Sequence, residues 1–192
     1  MFLHYTDIRQ QIKEKALTSV SFLKKKKIIL FLIILIVNLS CKKTEDPIIR
    51  DVVINELMPV NSTIAADQNG EYDDWIELFN LSSSTKDISG YYLTDNKSNI
   101  SKWQIPQGTS ISANGYLIIW ADKDTTQIGL HANFKLSSLG EEVLFSKPNG
   151  TVIDEIIYPG QTLEVSYSRY PNGTGAFRWQ NPTFNVINST SK

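Results

Sequence analysis

The chain has 192 residues, of which 41% are hydrophobic, with 19 Lys and Arg against 20 Asp and Glu. This length supports one ordinary hydrophobic core, and the composition is neither low-complexity nor collagen-like. The single cysteine excludes an internal disulfide and an all-cysteine metal centre. Seven basic and two acidic residues precede position 41, which leaves 12 basic and 18 acidic residues beyond it. This acidic excess argues against a nucleic-acid partner.

Residues 1–40 have the pattern of a secretory signal peptide with an extended basic region. Four lysines at 24–27 precede ten apolar residues at 28–37, and three further residues lead to Cys41. As a helix, residues 28–39 would reach about 18 Å, well short of the roughly 30 Å hydrocarbon core of a membrane. The alternative is an uncleaved anchor with an incidental cysteine. Both interpretations place the rest of the chain outside the cytoplasm.

The sequence around Cys41 resembles the lipobox of bacterial lipoproteins, in which the cysteine becomes the lipid-modified first residue. The lipobox pattern prefers Leu three places before the cysteine, where this chain has Asn38. The resemblance implies lipidation of Cys41 and membrane attachment through that lipid. The Ser-Cys-Lys-Lys junction resembles outer-membrane lipoproteins of Bacteroidota, which favours the outer membrane as the location. Residues 41–50 are then the lipidated cysteine and a short polar tether.

Residues 51–188 predict an all-β domain, followed by a short tail at 189–192. Short β-branched and aromatic runs alternate with turn-forming residues, and no segment sustains a helical period for three turns. The spacing of the turns favours an antiparallel β-sandwich. The predicted strands cover residues 52–57, 75–79, 88–93, 103–105, 116–121, 133–136, 142–145, 152–158 and 165–170.

Period-two alternation predicts which side chains face the core. In the run 74–80, Ile76 and Leu78 share one face, which leaves Glu77 on the other face as a surface residue. In the run 152–158, Asp154 interrupts one face and Glu155 the other. An acid on each face predicts a strand near the edge of a sheet, where charge resists unwanted pairing.

Eight short motifs follow one another along this domain. They are VINEL (53–57), DWIELFN (74–80), ISGYYLTD (88–95), WQIP (103–106), NGYLIIWAD (114–122), HANFKL (131–136), GEEV (140–143) and RYPNG (169–173). In this order they resemble the lamin tail domain, a module of nuclear lamins and of many exported bacterial proteins. The resemblance implies an immunoglobulin-like β-sandwich with a binding or structural role and no catalysis of its own. It leaves the partner open, as either a protein or a glycan.

Motifs for common catalytic chemistries are absent from the sequence. After Cys41 the only histidine is His131, so a multi-histidine metal site cannot form, and neither a nucleophile elbow nor a phosphate-binding loop occurs. A hydrolase that uses Glu56, Glu77 or Asp154 remains an alternative, as does His131 as a general base. A lone histidine before a strand is more often a hydrogen-bonded packing residue.

Asp67, Asn69, Glu71 and Asp73 place oxygen donors at every second position in and beside the strand-free segment 61–72. Hard oxygen ligands suit Ca²⁺, although the spacing differs from that of an EF-hand loop. The alternative is a solvated acidic turn whose side chains cap backbone amides. Ca²⁺ is thus the only cofactor that the sequence suggests.

The aromatic residues raise a second functional hypothesis, a carbohydrate-binding accessory of a surface polysaccharide system. Trp179 has polar neighbours near the C-terminus and is the best candidate for an exposed residue that stacks on sugar rings. The alternative is that the aromatic residues pack in the core, as they commonly do in a sandwich. A contiguous exposed aromatic patch would favour the carbohydrate hypothesis.

Overall fold

The computed structural model describes Lys24, residues 50–161 and residues 164–188. The predicted signal segment apart from Lys24, Cys41, the tether up to residue 49 and the tail at 189–192 lie outside the described residues. Among the residues that are described, no helix is long and apolar enough to cross a membrane.

The described part of the domain is built from twelve β-strands, which confirms the all-β prediction. In chain order they are β1 (Val52–Met58), β2 (Trp75–Asn80), β3 (Lys86–Asp87), β4 (Tyr92–Thr94), β5 (Trp103–Gln104), β6 (Ser110–Ile111), β7 (Tyr116–Ala121), β8 (His131–Ala132), β9 (Gly140–Ser146), β10 (Val152–Pro159), β11 (Ser166–Tyr170) and β12 (Ala176–Gln180).

Two larger sheets enclose one hydrophobic core. A six-stranded sheet has the order β12-β11-β1-β2-β7-β8, a four-stranded sheet has the order β10-β9-β4-β5, and β3 pairs with β6. The pairs are antiparallel except for β7 with β8. The larger sheet contributes Ile76 and Leu78 to the core, and the smaller contributes Leu93, Val143 and Phe145. This arrangement confirms the antiparallel immunoglobulin-like sandwich.

A β-bulge at Asn55 turns polar side chains of β1 to the outer face of the larger sheet. Ile54 lies opposite Leu78 and Glu56 lies opposite Glu77, so that Asn55 is an extra residue in β1. The side-chain amide of Asn55 donates to Glu77 Oε1 at 2.8 Å. The bulge therefore brings three polar side chains together on one face.

Residues 181–188 cover this outer face. The ring of Phe184 packs edge-on against Trp75, with centroids 5.3 Å apart, and lies 5.7 Å from the ring of Trp120. Backbone amides of the same segment donate to Glu56 and Glu77. Glu77 is consequently 0% exposed, and its prediction as a surface residue is wrong because the alternation rule assumed solvent on this face.

Strand β10 lies at the edge of the four-stranded sheet, as predicted, with Asp154 buried and Glu155 exposed. Two predicted strands are shorter or displaced: the run 88–93 gives only β4, and the run 133–136 is a loop that follows β8. In both, buried apolar residues also occur in the connecting segments, as Ile88 and Phe134 show. Strand β12 was missed because its five residues include only two large apolar side chains.

Candidate functional site

The acidic segment predicted from the sequence lies beside the loop that follows β7. Strands β2 and β7 are antiparallel partners with Trp75 opposite Trp120, so the approach to β2 and the exit from β7 lie at the same end of the sheet. Asp73 and Asp122 therefore approach each other although they are far apart in sequence. Together with Asp67, Glu71 and Asp124, they form what we call the acidic cluster.

Asp67 is fixed by a tight turn. Its Oδ1 accepts hydrogen bonds from the backbone amides of Asn69 and Glu71, each at 2.8 Å. The Asp67 amide donates to the Glu71 carbonyl at 2.8 Å, and Gly70 adopts φ +85°, a conformation that glycine enters without steric cost. Because Oδ1 is held in this way, the turn also fixes the position of the second carboxylate oxygen, Oδ2.

The Oδ2 atom of Asp67 is buried and has no hydrogen-bond partner among the described residues. The residue as a whole is only 9% exposed. Asp67, Glu71 and Asp73 each place a ligand atom within 4.8 Å of the others. The adjoining pocket has a volume of about 470 Å³ and is lined by Glu71, Tyr72, Asp73, Asp122, Asp124 and Lys135.

His131 and Asp122 form a buried pair at the inner side of the cluster. Nδ1 of His131 lies 2.5 Å from Asp122 Oδ2, and Nε2 lies 3.3 Å from the Ile128 carbonyl oxygen. Because a carboxylate only accepts hydrogen bonds, Nδ1 is the donor in the contact with Asp122. The side chain of His131 is 1% exposed, so this geometry does not allow His131 to contact a substrate as a general base.

The cluster has a surplus of negative charge. Burial raises the pKa of Asp73, and the neighbouring carboxylates of Asp122, Glu71 and Asp67 raise it further. Lys135 opposes the shift, but its Nζ is 3.8 Å from Asp73 Oδ1 and its side chain is 56% exposed. This local excess of carboxylates over cations favours binding of a positive ion.

Of the four predicted oxygen donors, the structure brings Asp67, Glu71 and Asp73 together. Asn69 takes part through its backbone amide, and its side chain is exposed. The sequence analysis missed Asp122 and Asp124. The signal that could have found them is the pairing of β2 with β7, because it places the residue after β7 beside the residue before β2.

Trp179 is half-buried and belongs to an aromatic strip with Tyr167 and Phe177. The ring of Tyr167 is 4.7 Å from that of Trp179 and 5.3 Å from that of Phe177, centroid to centroid. The strip lies on β11 and β12, at one edge of the larger sheet, and packs partly against the core. Arg169 lies over the ring of Phe177 at 4.5 Å.

The three carboxylates considered for hydrolysis are all buried. Glu56 accepts hydrogen bonds from the amide and hydroxyl groups of Thr183 at 2.9 and 2.7 Å. Glu77 accepts from Asn55 and Asn185, and burial raises its pKa to about 8. Both oxygens of Asp154 lie 2.9 Å from Nη2 of Arg169. Each carboxyl group therefore has a structural partner.

Cys41, the predicted lipidation residue, lies outside the described residues. For the folded domain, the two larger sheets and the core between them define an immunoglobulin-like β-sandwich. The family model of the Lamin Tail Domain matches residues 47–179, and the chain belongs to this family. A search of curated proteins finds no match. Residues 181–188, which cover the outer face, lie beyond the matched range.

Proposed function

We propose that the chain is an exported bacterial lipoprotein that carries one lamin tail domain as a binding or structural module. Lipid on Cys41 attaches it to a membrane, for which the outer membrane is the best candidate. The domain itself performs no catalysis. The observation that carries this proposal is the order of three segments: a basic and apolar leader, a cysteine, and a β-sandwich that starts after ten intervening residues.

The distance between Cys41 and the domain supports attachment close to a membrane. Strand β1 begins at Val52, so ten residues separate it from Cys41. Extended, these residues span at most about 35 Å. Their polar composition suits a solvated tether rather than a second folded unit. A domain held this way presents its loops near the membrane surface.

The partners of the buried carboxylates support a non-catalytic role. Glu56 and Glu77 bond to the segment that covers them, and Asp154 is engaged by Arg169. His131 is buried against Asp122. General acid–base catalysis needs a group within hydrogen-bond reach of substrate, and none of these four side chains is exposed to one.

Metabolic labelling with an alkyne fatty acid in a bacterial host tests the anchor. We expect the wild-type chain to incorporate the label and to sediment with membranes. The Cys41→Ala variant should lose the label, whereas Ser40→Ala, which keeps a small residue at the neighbouring position, should retain it. Equal labelling of the Cys41→Ala and wild-type chains would refute attachment at this residue.

The aromatic strip favours a second candidate function, that of a carbohydrate-binding accessory to a surface polysaccharide system. Tyr167, Phe177 and Trp179 are adjacent and half-buried at a sheet edge, so each keeps part of its ring accessible. Aromatic faces of this kind stack on the apolar faces of sugar rings. Arg169 beside Phe177 adds a donor near the strip, although its guanidinium is largely used by Asp154.

A glycan array probed with the full chain tests this second function. Binding that is lost in Trp179→Ala and kept in Tyr72→Ala would support it, because Tyr72 is an exposed aromatic outside the strip. Thermal unfolding of both variants controls for damage to the edge strand. Absence of any glycan signal for the folded wild-type chain would leave the structural or protein-binding role as the function.

A further inference from the structure

We propose that the acidic cluster binds one Ca²⁺ ion, with Asp67, Glu71 and Asp73 of the β1–β2 loop as carboxylate ligands. The inference is independent of the lipid anchor and of any glycan. Four observations support it: a carboxylate oxygen of Asp67 that has no partner in the described part of the chain, the spacing of the ligand atoms, the local charge, and the contacts of the nearby His131.

The orphan oxygen is the first argument. A buried carboxylate oxygen that bonds to nothing is costly, because the group has lost its water without gaining a partner. Asp67 Oδ2 is in this position among the described residues, while Oδ1 is satisfied by two amides. A solvated acidic turn would not bury one of its oxygens. A bound cation gives this oxygen the partner that the protein does not.

The ligand spacing is the second argument. Oxygen ligands lie about 2.4 Å from Ca²⁺, so two ligands of one ion are at most about 4.8 Å apart. One atom from each of Asp67, Glu71 and Asp73 meets this limit. The pocket beside them is open to solvent, which leaves room for the water molecules that complete a Ca²⁺ coordination sphere.

The charge around the pocket is the third argument. Asp122 and Asp124 add two carboxylates to the three proposed ligands, and Lys135 is the lining residue of opposite charge. Gln127 donates to both Glu71 Oε2, at 2.6 Å, and Asp124 Oδ2, at 3.1 Å, and so holds two of the acids close together. A cation bound among these carboxylates would offset their mutual repulsion.

The contacts of His131 indicate which ion the site binds. Asp67, Asp122 and His131 also lie within ligand distance of one another, and a histidine ligand would favour zinc. The side chain of His131 is only 1% exposed, however, with Nδ1 held by Asp122 and Nε2 facing the Ile128 carbonyl oxygen. The ligands that remain are hard carboxylate oxygens. Such a set selects Ca²⁺ over transition metals, with His131 as a positioning residue for Asp122.

Isothermal titration of the full chain in detergent, after dialysis against EDTA, tests the site with CaCl₂ and, separately, ZnCl₂. The diagnostic variant is Asp67→Asn, because Asn keeps an Oδ1 acceptor for the two turn amides and replaces the orphan oxygen with an NH₂ group. Glu71→Gln is a second variant at an exposed position. The matched control is Asp87→Asn, which changes an acid that accepts from Ser89 in a similar turn outside the cluster.

We expect one Ca²⁺ per wild-type chain and a melting temperature that rises with Ca²⁺ and falls with EDTA. Binding should weaken about tenfold or more in Asp67→Asn and in Glu71→Gln, because affinity depends on the number of charged ligands, and should be unchanged in Asp87→Asn. Three results would overturn the proposal: no Ca²⁺ binding to folded wild type, Ca²⁺ binding as tight in both cluster variants as in wild type, or zinc binding without Ca²⁺ binding.

Discussion

Glu56 and Glu77 lie directly opposite each other on β1 and β2, and residues 183–188 bury both carboxyl groups. Burial raises the pKa of Glu77 to about 8 and also raises the pKa of Glu56. The negative charge of Glu56 raises the pKa of Glu77 further. Two opposed carboxylates that share a dry site retain protons at a pH where exposed carboxyl groups have lost theirs.

The stability of the domain should therefore fall as pH rises from about 5 to about 8. Between the ordinary value of 4.5 and about 8, native Glu77 binds protons that the unfolded chain releases, so the free energy of unfolding declines with pH. Urea titrations across this range should show a shallower decline for Glu77→Gln, which cannot ionise. Glu155→Gln is the control because its side chain lies on the exposed face of β10. Identical pH profiles for Glu77→Gln and wild type would contradict this explanation.

Phe184→Ala should destabilise the domain by about 2 kcal/mol, less than for a fully buried phenylalanine because Phe184 is half-buried. The substitution removes the ring that packs on Trp75 and Trp120. Ile187→Ala, in the same segment at 66% exposure, should cost little. Chemical denaturation compares the two variants. Equal losses would show that Phe184 does not anchor the segment.

Arg169→Lys should destabilise the domain by about 3 kcal/mol, because lysine cannot reproduce the planar fork of arginine at a buried carboxylate. Nη2 of Arg169 reaches both oxygens of Asp154, and Nε donates to the Ile54 carbonyl at 2.9 Å. Arg178→Lys is the matched control on the neighbouring strand, where the guanidinium lies over the ring of Tyr170 at an exposed site. We expect the control to lose less than about 1 kcal/mol. Similar unfolding midpoints for both variants would contradict a structural role for the Arg169 contacts.

Gly140→Ala should be more damaging than Gly108→Ala, although both glycines have similar positive φ angles, +90° and +81°. A Cβ at Gly140 would lie 2.6 Å from the Tyr158 carbonyl oxygen, whereas nothing lies within 4 Å of one at Gly108. Backbone strain of about 1 kcal/mol is common to both substitutions, and crowding at Gly140 adds about 2 kcal/mol. Thermal melts of the pair separate crowding from strain, and indistinguishable melts would rule out the crowding.

The sequence predicted the inner face of the sandwich well because that face obeys simple alternation. Ile76 and Leu78 are buried in the core as expected. The outer face of the same strand could not be read from alternation, since a segment beginning about 100 residues later covers it. Glu77 illustrates the difference: a local rule assigns it to solvent, whereas a distant contact buries it.

The acidic cluster likewise has one part that the sequence predicted and another that it did not. Asp67, Glu71 and Asp73 belong to one loop, so their spacing in the sequence was enough to predict them as oxygen ligands. Asp122 joins them only through the pairing of β2 with β7, which no single segment specifies. Asp67 Oδ2 has no hydrogen-bond partner within the described residues because the amides of the turn bond to Oδ1 instead. The amino-acid sequence alone does not show this geometry.

The most direct test of the proposed function is the intact mass of the protein extracted from the membranes of its own host. We predict a mass equal to that of residues 41–192 plus the lipid carried by the first residue. A protein that retains residues before Cys41, or that begins at Cys41 with a free thiol, would contradict a lipid-anchored lamin tail domain.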